Sequence, residues 1–541
     1  MSRRKKKFIP PPLRQLSLYP EDLLAKIPEN HLVRVIDEVV DKLNIDFLFE
    51  EFSGKGRPPY HPRPLLKVIL FAYTRKIYSY RAISRAMQEN IYFIYLAQGY
   101  QPCFKSIHNF MTGRLKERVR KLFEQLIYFL RDSEYIDDSV FFVDGTPLRA
   151  DANKYSYVWK KNTQRYQKEL YRKISALLDL AEQLNNEEQV TLGDLELPDQ
   201  GKEIGREELD ERINKFTEQF NQETSRKKKR TMQAVNRRLK NAAEKLTEYE
   251  EQQNTLGKRN SYSRTDPDAT FLRDKSNNLI PGYNAQISTQ HGFVCHYTVS
   301  QSPSDQRAFH DHLQTLPKAL QPKDYVGDAG YGTTANYMEL EQRNINPYLK
   351  DKLFHREQSE KFRDNPFRRE NFPYDQATDT YTCPNQEQLV FEKTFEQELH
   401  NGKKVMYRRY RCLACADCPM RAQCTKGKNR IIQVSETVEM YKQKARANLL
   451  SEKGLAYRKR RGPDVESVFG HLKHNAAGRR LNHRGLVKVD MELALKFMSY
   501  NLIKLAKSVE NALYVHFLIL RNIMGQHVRS WKAIIEIGPS H

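Results

Sequence analysis

The chain has 541 residues and a formal net charge of +23, with 90 Lys and Arg against 67 Asp and Glu. One hydrophobic core rarely serves such a length, so about two to four domains are expected, and the basic excess favours nucleic acid as partner over a merely soluble basic protein. Pro10-Pro11-Pro12 follows the basic start where a signal peptide would be apolar, and no apolar run reaches membrane-spanning length. We therefore expect a soluble, cytoplasmic protein without a membrane partner.

The first 135 residues divide into a basic tail and a helical region. Residues 1–27 form the tail, and the pattern of residues 28–135 predicts consecutive short helices, among them residues 65–73 and a helix that Ser79 caps. Short helices with exposed bases favour a DNA-binding domain of the helix-turn-helix kind. An ordinary small helical bundle would show much the same pattern.

The first strand is predicted at Val140-Phe141-Phe142-Val143, a continuous apolar run that ends at Asp144. A central strand would thus deliver a carboxylate at its end. Beyond residue 160, apolar residues recur at alternating steps of four and three, which predicts a coiled helical hairpin with its turn at residues 185–205. The returning arm begins with the basic run 226–230, which is either a solvated face or a surface that follows a DNA backbone.

Strand periodicity returns at residues 283–299 as a β-hairpin. A helix, a strand ending at Asp328, a second helix and a strand at residues 345–349 follow. Strand, antiparallel pair, helix, strand, helix, strand and helix is the element order of an RNase H-like α/β fold. The expected architecture is a multidomain α/β protein whose RNase H-like core carries two insertions, the helical hairpin and a Cys-containing segment.

A helix is predicted within residues 460–473, and Gly462-Pro463 is its expected start. Four apolar residues share one face of this helix: Val465, Val468, Phe469 and Leu472. Glu466 and Lys473 lie seven residues apart on a neighbouring face, and Gly470 between them leaves room for a metal ion or a phosphate. Solvated charges on an amphipathic helix are the alternative interpretation.

Three carboxylates are expected to meet at the edge of the core sheet: Asp144, Asp328 and Glu466. The first and fourth strands are neighbours in this topology, and the helix after the fifth strand can present the glutamate. Three hard oxygen ligands around an open cleft suit two Mg²⁺ ions about 4 Å apart, as in-line displacement at phosphorus requires. Three nearby cations would then contact DNA phosphates: Lys473, Arg479 and Arg480.

Several blocks of the sequence resemble DDE transposases of bacterial insertion sequences, most closely the group numbered eleven-eighty-two. In chain order, the blocks are Asp144-Gly145-Thr146, residues 152–155 and 158–161, residues 265–269 and 281–284, Asp328-Ala329-Gly330-Tyr331-Gly332, and Val465-Glu466-Ser467-Val468-Phe469-Gly470. Residues 60–67 and 79–83 are similar to the N-terminal helical domain that such transposases share. As an ordered set, the matches are highly specific.

The resemblance implies an enzyme that cuts the ends of its own insertion sequence and joins them to new DNA, with Asp144, Asp328 and Glu466 as ligands of two Mg²⁺ ions. The implied partner is double-stranded DNA, both the terminal repeats of the element and the target. Synapsis of two ends makes a homodimer the expected assembly, and a bacterial, nucleoid-associated location follows. The alternatives are a DNA-binding relative without catalytic activity and a plain RNase H-like nuclease.

Two departures from the family pattern concern the phosphate-binding residues. Lys473 matches the lysine that follows the glutamate by seven in related elements. Relatives place an arginine four residues before the glutamate, where this chain has Gly462, so Arg460 or Arg461 is expected to fill that role. The segment Gly478-Arg479-Arg480-Leu481 lacks the aromatic residues usual around the arginine pair.

Five cysteines have metal-ligand spacing: Cys383, Cys412, Cys415, Cys418 and Cys424. Similar transposases carry a Cys set here, best matched by Cys383, Cys415, Cys418 and Cys424, with Cys412 as a spare. Zinc is therefore the ion expected in this segment. Reduced thiols in a loop-rich domain without a metal are the alternative.

Other acids compete for the site. Asp151, Asp266, Asp268 and Asp305 are each expected to be turn or cap residues, although Asp305 could lie near the site. The expected division of the chain is a basic tail at 1–27, a helical DNA-binding domain at 28–135, core segments at 136–160 and 261–350, the helical hairpin at 161–260, the Cys-containing insertion at 351–451 and the glutamate helix with C-terminal helices at 452–541.

Overall fold

The computed structural model describes residues 25–49, 58–186, 197–274, 276–475 and 480–535. The fold is mixed α/β with a helical N-terminal region. Two compact units are present, one formed by Met1–Leu148, Asn284–Ser300 and Ser304–His541, the other by Arg149–Tyr283 and Gln301–Pro303. Among the described helices, none is both long enough and apolar enough to cross a membrane.

The N-terminal region of the first unit is helical, as predicted. Its helices are α1 (Leu32–Lys42), α2 (Pro62–Thr74), α3 (Tyr80–Glu89), α4 (Ile91–Ala97), α5 (Phe104–Asn109) and α6 (Lys116–Asp132). Helix α2 begins where Pro62 fixes the first turn and the His61 side chain accepts a hydrogen bond from the Arg63 amide. Almost the whole of α2 is buried, and its Lys67 ammonium lies 2.5 Å from Asp37 and 2.7 Å from Asp41.

The described residues in the middle of the chain contain eight strands: β1 (Val140–Arg149), β2 (Tyr157–Trp159), β3 (Ser261–Ser263), β4 (Thr270–Arg273), β5 (Leu279–Gln290), β6 (Phe293–Ser300), β7 (Asp324–Gly327) and β8 (Asn346–Leu349). The main sheet has the order β4-β5-β1-β7-β8, and β6 pairs with β5. As expected, β1 and β7 are parallel neighbours, and β5 and β6 form an antiparallel hairpin. Because Phe142 of β1 pairs with Val326 of β7, the middle of β1 lies beside the end of β7.

In the second unit, β2 pairs with β3, and three helices replace the predicted helical hairpin: α7 (Lys160–Asn186), α8 (Arg206–Gln222) and α9 (Arg226–Leu256). Leu177 of α7, Ile213 of α8 and Leu239 of α9 belong to one buried cluster. The prediction missed α8 because its apolar residues are few and flanked by acids. Helix α8 covers an apolar face that α7 and α9 alone would leave exposed to water.

Two helices flank the later strands of the main sheet, α10 (Asp305–Gln314) and α11 (Thr334–Gln342), and the short α12 (Glu360–Arg363) follows. The Cys-containing segment then forms a separate antiparallel sheet. Its strands are β9 (Tyr374–Asp375), β10 (Thr380–Thr382), β11 (Gln388–Glu398), β12 (Lys404–Cys412) and β13 (Ile431–Val434), in the order β13-β12-β11-β10-β9, and the short helix α13 (Arg421–Cys424) lies between β12 and β13.

The chain continues with α14 (Glu436–Leu450), α15 (Glu452–Gly470), a π-helical turn at His471–Asn475 and α16 (Leu486–Ile535). The predicted helix start at Gly462-Pro463 is wrong, because α15 begins a full ten residues earlier. Ser451 supplies the start, since its hydroxyl accepts a hydrogen bond from the Gly454 amide. Pro463 lies inside the helix, where it withholds one backbone donor.

Helix α15 packs on the main sheet through its predicted apolar face. Val465 shares a buried cluster with Val140 and Phe142 of β1 and with Val326 of β7. Val468 and Leu472, on the same face, are buried as well. The packing of Val465 therefore holds the middle of α15 against the two strands that carry the aspartates.

Helix α16 is anchored by a buried charge network. The Glu492 carboxylate accepts hydrogen bonds from the Asn482 amide at 2.9 Å, from His483 Nδ1 at 2.9 Å and from Lys496 Nζ at 2.7 Å. Burial alone would raise the pKa of Glu492, but the His483 hydrogen bond and the Lys496 charge lower it to about 2. Because His483 Nε2 also lies 2.7 Å from the Tyr80 hydroxyl, the network ties α16 to α3.

Candidate active site

The structure brings Asp144 and Asp328 together at the same edge of the main sheet. One nitrogen of Arg461, Nη2, lies 3.1 Å from Asp144 Oδ2 and 3.4 Å from Asp328 Oδ2. Asp328 follows β7 directly, as predicted. Asp144 lies inside β1 instead of at its end, because the strand continues to Arg149. Both carboxylates are within reach of one cationic group.

The backbone beside each aspartate fixes its carboxylate. The Gly145 amide donates to Asp144 Oδ1 and the Gly330 amide donates to Asp328 Oδ1, each at 2.8 Å. A Cβ atom at Gly145 would lie 2.2 Å from the Gln286 side-chain nitrogen and 2.5 Å from Asp305 Oδ1, so any larger residue there must displace these side chains. These contacts orient the free oxygens of both aspartates toward Arg461.

A third carboxylate belongs to this cluster. Asp305, the first residue of α10, accepts hydrogen bonds from Asn284 Nδ2 and Gln286 Nε2, each at 2.8 Å. Its oxygen lies 3.7 Å from the position that a Cβ at Gly330 would take. The sequence predicted that Asp305 is a turn or cap residue and allowed that it could lie near the site. Asn284 and Gln286 alternate on β5 with apolar neighbours, and this alternation is the sequence signal for polar residues that face a site.

Asp144, Asp328 and Asp305 together place more negative charge at the site than Arg461 neutralises. Burial raises the pKa of Asp144 to about 6, and the charges of Asp328 and Asp305 add to this rise while Arg461 opposes it. Burial and the same three carboxylates also raise the pKa of Tyr331, whose hydroxyl donates to Gln286 Oε1 at 2.5 Å. A site of this kind attracts additional positive charge.

Glu466 lies on α15, five residues after Arg461, and its side chain is exposed. Its Oε1 lies 3.8 Å from the position that a Cβ at Gly462 would take, so the carboxylate folds back along its own helix. No hydrogen bond or ion pair connects it with another described residue. Within the described residues, no group of three or more His, Cys, Asp and Glu side chains is arranged to hold a metal ion. The structure thus joins two of the three expected carboxylates.

The expected phosphate-binding residues are dispersed around α15. Arg460 donates to His291 Nδ1 at 2.9 Å and lies 3.5 Å from Asp464, whereas Arg461 contacts the aspartates instead of facing solvent. Lys473 belongs to the π-helical turn, so its spacing of seven from the glutamate does not equal two α-helical turns. Arg480 is exposed, and Arg479 lies outside the described residues.

The five cysteines of the insertion are free thiols that line one small cavity. Cys383, Cys412 and Cys415 are buried in the core of the five-stranded sheet, and Cys418 and Cys424 are partly exposed. Burial and a hydrogen bond with Cys415 raise the pKa of Cys412 to about 12, which favours its thiol. The cysteines thus lie near one another as the spacing predicted, without metal-binding geometry.

Two family models match the chain. Residues 382–506 match the family described as Transposase DDE domain, and residues 21–113 match the family described as Transposase domain (DUF772). The first match includes Glu466, and both aspartates lie outside the two matched regions. No curated protein matches the chain. An N-terminal transposase domain followed by a DDE domain agrees with the sequence blocks and with the paired aspartates, and the chain is therefore a DDE transposase of the insertion-sequence kind, an enzyme that cleaves DNA strands and transfers them.

Proposed function

We propose that Asp144, Asp328 and Glu466 are the catalytic carboxylates of this transposase, carried on an RNase H-like core, and that they hold Mg²⁺. The observation that supports this most strongly is the position of Arg461, whose guanidinium contacts both aspartates. The two carboxylates are close enough to share one positive charge, as they would share a divalent metal ion. Their oxygen atoms are the ligands that Mg²⁺ prefers. The residues present therefore fit the metal that the family uses.

The proposed roles follow from these contacts. Asp144 and Asp328 would hold the metal, while the Gly145 and Gly330 amides keep one oxygen of each carboxylate fixed. Two bound Mg²⁺ ions would lower the pKa of the nucleophile, which is water or a 3′ hydroxyl, and would stabilise the leaving oxygen. Arg461, released from the aspartates, would bind the phosphate beside the scissile bond, since guanidinium groups suit phosphate.

Glu466 is proposed as the third ligand although its carboxylate is exposed. Side chains on a helix lean toward its N-terminus, so Glu466 leans toward the turn that carries Arg461. Five residues of helix rise about 7.5 Å, a separation that a glutamate side chain shortens considerably by changing rotamer. Because Val465 beside it is locked in the core, the backbone of Glu466 is held in place and only the side chain needs to move.

Double-stranded DNA is the proposed substrate, at the terminal repeats of the element and at the target. Five cations of residues 460–480 are the proposed phosphate contacts: Arg460, Arg461, Lys473, Arg479 and Arg480. A homodimer is the proposed synaptic assembly, because two element ends must be held together. Membership of the group eleven-eighty-two is likewise proposed on the sequence blocks.

Zinc is proposed for the Cys-containing insertion, with Cys383, Cys415, Cys418 and Cys424 as ligands. The support is that these thiols line one small cavity. Zinc binds thiolates, and it would offset the cost of ionising buried sulfur atoms. The bound ion would tie the turn after β12 to the loop before β11.

A cleavage assay tests the catalytic proposal. The purified protein is incubated with labelled DNA that flanks its own reading frame, in Mg²⁺ or in EDTA. We expect cleavage only in Mg²⁺, and loss of cleavage but not of DNA binding in Asp144→Asn, Asp328→Asn and Glu466→Gln. Lys459→Ala is the matched control, since Lys459 is exposed on α15 two residues before Arg461. Full cleavage by any of the three variants would remove that residue from the site, and binding without cleavage by the native chain would identify an inactive relative.

A further inference from the structure

An aromatic and basic surface lies on the second unit, in the segment 152–168. This segment carries five cations and no acid: Lys154, Lys160, Lys161, Arg165 and Lys168. Three of its tyrosines are exposed: Tyr155 at 75%, Tyr157 at 50% and Tyr166 at 48%. Scattered exposed apolar residues are common on proteins, but three exposed tyrosines within an acid-free run of 17 residues are an unusual concentration of aromatic and basic side chains.

The strand β2 arranges part of this patch in a row. Tyr157 and Trp159 are two residues apart on β2 and so share a face, with ring centroids 6.3 Å apart. Both rings also lie about 6 Å from Phe271, at 5.9 and 6.0 Å, which supports them from behind. Tyr157 is thus held by packing while half of its surface remains open.

Cations lie directly over the outer rings. Lys154 Nζ is 4.9 Å from the ring centroid of Tyr155, and the Arg165 guanidinium is 4.9 Å from that of Tyr166. Each pair combines a flat stacking surface with a charge that suits a phosphate. Single-stranded nucleic acid offers both an unstacked base and a phosphate at each step, whereas a duplex keeps its bases stacked inside.

We propose that residues 152–168 bind unpaired DNA, with Tyr155 and Tyr157 stacking on bases and the neighbouring lysines contacting phosphates. A second copy of the chain is the less suitable occupant, because two copies of this segment bring together ten cations and contribute no acid to offset them. The proposal rests on the proposed function in taking DNA as the substrate, and it specifies unpaired nucleotides as the part that this surface binds.

The test compares two probes by fluorescence anisotropy at one salt concentration. The probes are a labelled oligo(dT) of about 16 nucleotides, near the upper site size of single-strand binders, and a duplex of the same length. We expect Tyr155→Ala and Tyr157→Ala each to weaken oligo(dT) binding about ten-fold and to leave duplex binding unchanged. Tyr155→Phe and Tyr157→Phe should bind oligo(dT) as the native protein does, because the ring stacks without the hydroxyl.

Tyr374→Ala is the matched control, since Tyr374 is 43% exposed on the other unit and should leave both probes unaffected. A 2-aminopurine base within the oligo(dT) reports stacking directly, and its quenching should require the ring at 155 or 157. The proposal is overturned if the alanine variants bind oligo(dT) as the native protein does, if they lose duplex binding equally, or if they instead lose self-association in sedimentation. These assays need no cleavage, so an inactive native chain with selective oligo(dT) binding would overturn the proposed function alone.

Discussion

Arg461→Ala removes the cation that contacts both aspartates, and we expect it to strengthen metal binding in the absence of DNA. A metal ion that binds Asp144 and Asp328 must displace the guanidinium from the oxygens it approaches at 3.1 and 3.4 Å. The need to break these two contacts therefore weakens metal binding by the native protein. The alanine variant lacks both contacts, so its metal binding is not weakened in this way.

The size of the effect follows from the exposure of the three side chains, which is 16% for Arg461, 23% for Asp144 and 43% for Asp328. Both contacts are ion pairs that keep some exposure to solvent, and such a pair contributes up to about 1 kcal/mol. The two pairs together therefore contribute about 1–2 kcal/mol. The dissociation constant for the metal should thus fall about 5- to 30-fold.

Isothermal titration calorimetry with Mn²⁺ measures this constant directly, without DNA and without catalysis. Lys459→Ala is the control for loss of a positive charge on the same helix, and it should bind Mn²⁺ nearly as the native protein does. Asp144→Asn combined with Arg461→Ala should abolish the gain. If Arg461→Ala binds Mn²⁺ no more tightly than the native protein, Arg461 does not occupy the metal position and the reasoning fails.

Further predictions concern the core, the glycine beside Asp144 and the thiols. Glu492→Gln should cost about 3–5 kcal/mol at pH 7, because it leaves Lys496 buried without its counter-charge, as urea denaturation would measure. Since the pKa of Glu492 is lowered to about 2 in the folded chain, its stabilisation is present above the unfolded value near 4.3 and lost as pH falls toward 2, so the difference between native and variant should vanish there; a constant difference would contradict this. Gly145→Ala should abolish cleavage by displacing the Gln286 side chain, whereas Gly113→Ala, with no atom within 4 Å of the added carbon, should cleave normally. Metal analysis should find one zinc per chain that Cys418→Ser removes and that substitution of the exposed Cys103 by serine retains; a zinc-free native protein purified with zinc present would disprove the site.

The parts of the site that the sequence predicted depend on local patterns. The run before Asp144 is a continuous hydrophobic stretch, and Tyr325 and Val326 mark the short strand before Asp328. The order of elements then predicts that the two strands are neighbours, as they are. The buried face of α15 follows from a spacing of three and four residues. Each of these features is decided within a few residues of the chain.

The parts that failed depend on competition or on distance in sequence. Gly462-Pro463 is a strong local start signal, yet the Ser451 cap and the packing of α15 keep the helix intact through the proline. The contact of Arg461 with Asp144 joins residues more than 300 positions apart, and no periodicity reveals it. The sequence pattern predicted a phosphate-binding role for Arg460 or Arg461 from their charge, and it gave no sign that Arg461 also contacts the two aspartates.

Anomalous diffraction from crystals soaked in Mn²⁺ tests the central claim most directly. Two aspartates on parallel neighbouring strands should share the ion, with Arg461 moved away from both carboxylates. We predict an anomalous peak within coordination distance of Asp144 and Asp328, which vanishes in crystals of Asp328→Asn. Ordered manganese elsewhere, with Arg461 still in contact with both aspartates at saturating Mn²⁺, would contradict it.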